Sequence, residues 1–150
     1  MKHKILGVFA GGAVLFLAAA SLPAHHGYAT EFDAKNCLNL KGTLTGVDWE
    51  NPHGYVYMDV KDASGKVHAW SLETISPNSM RRANTTREDF MNNSGKPAAA
   101  RACPTKPGGT PDKGTVEILV MSDGVARILG QNIEGLTPEQ TKDLLPQLKP

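Results

Sequence analysis

Cysteine and aromatic residues are scarce in this chain: two Cys, two Trp, three Tyr and four Phe among 150 residues. Two cysteines allow one bridge at most, and no Cys or His spacing matches a structural zinc site. Charge of one sign is also missing, with 16 basic against 15 acidic side chains. Phosphate-driven nucleic-acid binding needs a concentrated basic face, so nucleic acid is not an expected partner. The sequence has no Gly-rich phosphate loop and no His-x-x-x-His helix, and Ser71, Ser76 and Ser79 sit in no nucleophile motif. Hydrolysis is therefore not the expected chemistry, and no repeat of solenoid or propeller period occurs.

Only one long hydrophobic run exists, and it is at the start. Lys2 and Lys4 precede an apolar stretch over residues 5–20, followed by small residues. That layout is a secretory signal peptide, and the run is short for a membrane span. A periplasmic or secreted protein with no stable span after processing is the expectation. Two cuts compete: Ala18-Ala19-Ala20 would leave Ser21 first, and Leu22-Pro23-Ala24 would leave His25 first. The cut between Ala24 and His25 is favoured here. It leaves 126 residues with 14 basic against 15 acidic groups, enough for one domain. An oxidising compartment permits a Cys37–Cys103 bridge.

Beyond the leader, residues 27–39 show no sustained period and read as an extended segment. From Leu40 the pattern is β. Residues 40–50 form a first strand interrupted at Gly42 and Gly46, where a bulge is expected. Asn51-Pro52 marks a turn. Residues 55–60 alternate, with Val56, Met58 and Val60 on the core face and Tyr55, Tyr57 and Asp59 opposite. "KDASGK" is a hairpin loop, and residues 67–73 are a third strand. Ser76-Pro77 starts a short helix, and Thr85 with Glu88 resembles a capping box for another. Residues 98–103 are a weak fourth strand, followed by a loop to Thr115. "VEILVMSDGVARIL" is a hairpin turning at Ser122-Asp123-Gly124. Thr137 and Pro138 open a terminal helix whose Leu144, Leu145 and Leu148 form a docking stripe.

This order predicts a mainly β fold: a small OB-like barrel or a β-sandwich, with a short helix after strand three and a C-terminal helix. The expected organisation is a signal peptide over 1–24, an extended segment over 25–39, a β domain over 40–133 and a helical tail over 134–150.

The stretches "AHHGYATEFD", "KGTLTGVDWENPHGYVYMDVKDASGKVHAW" and "SPNSMRR" together resemble an uncharacterised family of small exported bacterial proteins, a domain of unknown function. Its members carry His-His-Ser after the leader, a Glu-Phe-Asp stretch, an Asn-Pro-His turn and a Ser-Pro-Asn helix start. The resemblance implies export and a β-rich fold, and it brings no activity with it. Gly27 stands where the family has Ser, and the Ala-rich run replaces a regular fourth strand. The cysteines and the tail look like local additions.

His25, His26 and His53 are the candidate metal ligands. A cut before His25 gives it a free α-amine, and amine plus imidazole chelate a metal. A second imidazole from His26 or His53 makes a nitrogen set suited to copper as Cu(II). Adjacent residues of an extended segment point opposite ways, so His25 and His26 bind together only if the backbone turns. Glu31, Asp33 and Glu50 are possible oxygen ligands or partners that orient an imidazole. Trp49, Tyr55, Tyr57 and Trp70 are a possible ligand face for a small ligand, glycan or envelope protein, or else cross-strand packing. His68 reads as a structural or solvent-facing histidine, and Arg81 and Arg82 as a solvated face. Three functions stay open: an exported copper-binding protein, a non-catalytic binding module, and a copper-dependent oxidoreductase.

Overall fold

The computed structural model describes residues 27–130 and 138–150. The leader, His25, His26, the Ala24–His25 bond, the 133/134 boundary and Thr137 lie outside the described residues. The elements are α1 (Tyr28–Glu31), β1 (Leu38–Asp48), β2 (Tyr55–Lys61), β3 (Val67–Glu73), α2 (Pro77–Arg82) and α3 (Arg87–Asn93). They continue with β4 (Pro97–Pro104), β5 (Lys113–Val120), β6 (Ala126–Ile128) and α4 (Pro138–Leu144), the last running into a 3₁₀ turn at Leu145–Leu148.

Strand pairing decides between barrel and sandwich. β1 lies between β2 and β4, β2 pairs with β3, and β4 with β5, all antiparallel. The parallel pairing of Ser71, Leu72 and Glu73 with Lys113, Gly114 and Thr115 then joins β3 to β5 and closes five strands on themselves. The result is the OB-like barrel, with β6 added along the far half of β5. The parallel closing pair is also why β5 begins at Lys113, where the sequence reads as loop to Thr115.

The alternation over β2 sorts the faces as its pattern predicts. Val56 and Met58 are buried with Leu40, Leu44, Leu72, Val116 and Leu119, and Val60 packs against that core. Two sequence oddities have packing reasons. A Cβ on Gly42 would stand 2.1 Å from the Asp59 carbonyl oxygen, so only glycine lets β1 and β2 approach there. The run at 98–102 puts Ala98, Ala100 and Ala102 inside the barrel, where small side chains fit beneath the larger residues of β1 and β5. The register shift between Leu44 and Gly46 is the expected bulge.

Two helices plug one end. Ser76 Oγ accepts from Ser79 N with Pro77 at the first helical position, and Met80 and Phe90 are buried in the core. The capping box, at the start of α3, is Thr86 with Asp89, one residue later than the sequence suggests. Thr85 is unavailable as the cap because it is buried and its N–H donates to Met80 O at 2.9 Å. Arg127 ties this plug to the β5–β6 turn, 2.7 Å from Asp123 and 3.4 Å from Asp89.

The extended reading of 27–39 is corrected over its first half. Tyr28–Glu31 form a helical turn in which Thr30 Oγ1 donates to Gly27 O, Phe32 is buried in a bridge to Thr105, and Lys106 N donates to Glu31 O at 2.9 Å. These partners lie far along the chain, so no local period announces the turn. β1 likewise spans Leu38–Asp48 rather than 40–50, because its first residues pair with β4. At the other end Leu148 is buried against Ala99, Ile118 and Val120 on the outside of the barrel, with Leu144 and Leu145 beside it.

Cys37 and Cys103 are disulfide-bonded across a separation of 66 residues. Closing so long a loop removes entropy from the unfolded chain worth about 4 kcal/mol. Replacing both cysteines by serine is expected to lower unfolding free energy by about that amount, read from urea denaturation. No helix among the described residues is long and apolar enough to cross a membrane.

Candidate functional site

The loop from β1 to β2, "WENPHG", sits at the same end as the helical plug. Trp49 anchors it: the indole lies 5.8 Å from the Phe90 ring, and the Arg81 guanidinium stacks 5.6 Å from the Trp49 ring centre. Arg81 and Arg82 are exposed, as a solvated face requires, and the Arg81 guanidinium also covers the indole. Gly54 closes the loop, since a Cβ there would be 2.9 Å from both Asp48 O and Thr74 Oγ1. Its carbonyl accepts from Thr74 N at 2.9 Å.

This folding opens a cavity of about 280 Å³ lined by Asp48, Glu50, Asn51, Pro52, His53 and Tyr55. His53 Nδ1 lies 3.2 Å from Glu73 Oε1 and 3.2 Å from Thr74 O. A carboxylate and a carbonyl only accept, so Nδ1 carries the ring proton and, in the neutral ring, Nε2 carries the lone pair. Glu73 is held in turn: Tyr55 Oη donates to its Oε2 at 3.3 Å, and Thr115 Oγ1 donates to its backbone oxygen at 3.1 Å. Burial and the adjacent Glu73 carboxylate raise the Tyr55 phenol.

Tyr57, two residues along the same outer face, donates to Asp48 Oδ2 at 2.6 Å. That bond holds its proton and pushes the phenol up to about 12. Spectrophotometric titration is expected to show Tyr57 ionising near there, and Asp48→Asn to bring it down toward the ordinary value of about 10. An unmoved Tyr57 would show that the carboxylate does not hold the proton.

The sequence candidates divide by position. Glu50, His53 and Tyr55 meet at the cavity, with Tyr57 beside it. Trp49 and Trp70 pack against the barrel core, so the four aromatics do not form one face. Glu31 pairs with Lys113 at 2.7 Å, and that hydrogen bond raises the Lys113 ammonium. Asp33 caps its own turn, accepting from Asn36 Nδ2 at 2.8 Å, which lowers its carboxyl. Cys37, Cys103 and the Glu117 carboxylate form a compact group, but the sulfurs are bonded to each other and not available as thiolate ligands. Sequence reasoning missed Asp48, Glu73 and Thr74. Glu73 had a signal: counting outward from a hairpin centred on Ser64 pairs it with Tyr55, as observed.

A small closed β-barrel with a polar loop cavity at one end is the class of protein that fold and site define. The chain belongs to a family of unknown function (DUF6152), whose model matches residues 13–115. The match takes in β1 to β4 and the rim cavity, and stops within β5. No curated protein and no solved structure matches the chain.

Proposed function

We propose that this is an exported binding protein, not an enzyme, and that its ligand is a copper ion held at the β1–β2 rim by His53 and a processed N-terminus beginning at His25. The observation that carries the reading is the seating of His53. An imidazole whose Nδ1–H is fixed by a carboxylate and a carbonyl is the arrangement that orients a metal-ligating histidine and raises its basicity. Asp48 and Glu50 line the same cavity and add negative charge beside it.

The remaining nitrogen ligands would come from the amine and imidazole of His25. The Glu31–Lys113 pair favours that: it fastens the segment that begins at Gly27 to β5, beside the strand that carries Glu73. A nitrogen-rich set favours Cu(II) over Zn(II).

The second reading is a non-catalytic module whose rim takes a small organic ligand or an envelope protein. Tyr55 and the two carboxylates around the cavity favour it, since together they suit a cationic group. Equilibrium dialysis of the exported protein against Cu(II) and Zn(II), with the mature N-terminus read by intact mass, tests the two. Stoichiometric Cu(II) on a chain beginning at His25 supports copper. A chain beginning at Ser21 removes the amine from His25 and overturns it. Turnover with a reductant would reassign the bound copper to an oxidoreductase.

A further inference from the structure

At the opposite end of the barrel His68 lies between two carboxylates. Its Nδ1 is 3.1 Å from each oxygen of Asp112, and its Nε2 is 3.2 Å from Asp62 Oδ2. A neutral imidazole has one N–H, so it donates to one of these and turns a lone pair on the other. Only the imidazolium donates to both.

The two carboxylates belong to different loops. Asp62 organises the β2–β3 turn, where its Oδ1 accepts from Ser64 N, Ser64 Oγ and Lys66 N. Asp112 ends the loop before β5 in a left-handed conformation, φ 52°, which Asp adopts more readily than most non-glycine residues. Its carbonyl accepts from Ser71 N at 2.9 Å, and His68 grips its side chain. That same loop carries Thr105 and Lys106, which seat Phe32 and Glu31. A single side chain thus joins three segments.

We propose that His68 is a proton-operated latch: as imidazolium it ties the 105–112 loop to the β2–β3 turn, and on losing its proton it lets that loop, with α1 seated on it, loosen. The charged groups facing it are Asp62 and Asp112, with Lys66 opposing. The hydrogen bonds to Asp112 and then Asp62 raise the imidazole above its ordinary value. Hydrogen bonds from Ser64 and then His68 hold Asp62 down at about 2. A raised histidine makes its contribution below its unfolded value and loses it as pH climbs through the folded one. The latch is therefore closed in mild acid and opens toward alkaline pH. It acts with or without a metal at the rim.

The test is hydrogen exchange by NMR on the metal-free exported protein, from about pH 5 to about pH 9, which brackets an ordinary and a raised histidine. After correction for base-catalysed exchange, protection at the amides of Ser71, Thr105 and Lys106 is expected to fall about tenfold for each unit by which the clasp raises His68. The fall follows the titration of the His68 ring signals, while Met58 in the barrel core stays protected. His68→Gln is expected to give low, pH-independent protection at the three amides, and Asp62→Asn to move the midpoint to lower pH. Constant protection through the titration overturns the latch, as does wild-type pH dependence in His68→Gln. Should His68→Gln fail to fold, the Asp62→Asn midpoint decides, and an unmoved midpoint rejects the proposal.

Discussion

If the proposed copper site is correct, changing Glu73 to Gln is expected to lower Cu(II) affinity by about 10–100-fold, the usual effect of removing the carboxylate that orients a metal-bound histidine. The substitution keeps the side chain's size and an accepting oxygen for Tyr55, so fold and stability change little. What it removes is the negative charge 3.2 Å from His53 Nδ1, which makes the ring a stronger donor at Nε2. His53→Ala removes the proposed ligand itself and is expected to lower affinity further. Competition titration with a chelator of known affinity reads both. Equal affinity in Glu73→Gln and wild type would mean that Glu73 only shapes the barrel edge.

Phe90→Ala is expected to cost about 3–5 kcal/mol of stability, the range for deleting a buried aromatic ring. Phe90 is among the largest fully buried side chains, and it sits where the helical plug meets the barrel. Its loss has a second effect that a generic core cavity would lack. Trp49 packs on that ring and holds the start of the β1–β2 loop, so the cavity around His53 loses one of its walls' supports. Urea denaturation reads the first effect. For the second, Trp49 and Trp70 are the two indoles, and a red-shifted native-state emission in Phe90→Ala marks exposure of Trp49. Loss of stability without that shift would mean that Arg81 alone suffices to seat the indole.

The parts of the fold written in local period were legible in the sequence. Val56 and Met58 alternate with Tyr55 and Tyr57, and the barrel sorts them inside and out as that period requires. Ser76-Pro77 and Asn51-Pro52 mark a helix start and a turn by their own chemistry. Features made by distant partners were less legible. α1 exists because Lys106 and Thr105 hold it, and the first residues of β5 become strand because β3 lies beside them. Barrel closure has the same character, since three parallel pairs between β3 and β5 exclude the sandwich.

The rim followed the same division. His53 stood out as a histidine in a turn, but the Glu73 that orients it arrives through strand register. Trp49 and Trp70 read as a ligand face or as packing by composition, and both are partly buried against the core. His68 read as a structural or solvent-facing histidine, and its two carboxylate partners lie 6 residues before it and 44 residues after it.

We propose that one copper ion joins His53 to the processed N-terminus. The most direct test is the EPR spectrum of the exported protein with one equivalent of Cu(II). A type 2 spectrum with couplings from three nitrogens, the His25 amine and two imidazoles, is expected, reduced to two nitrogens or lost in His53→Ala. A spectrum unchanged by His53→Ala would contradict the claim and leave the rim to another ligand.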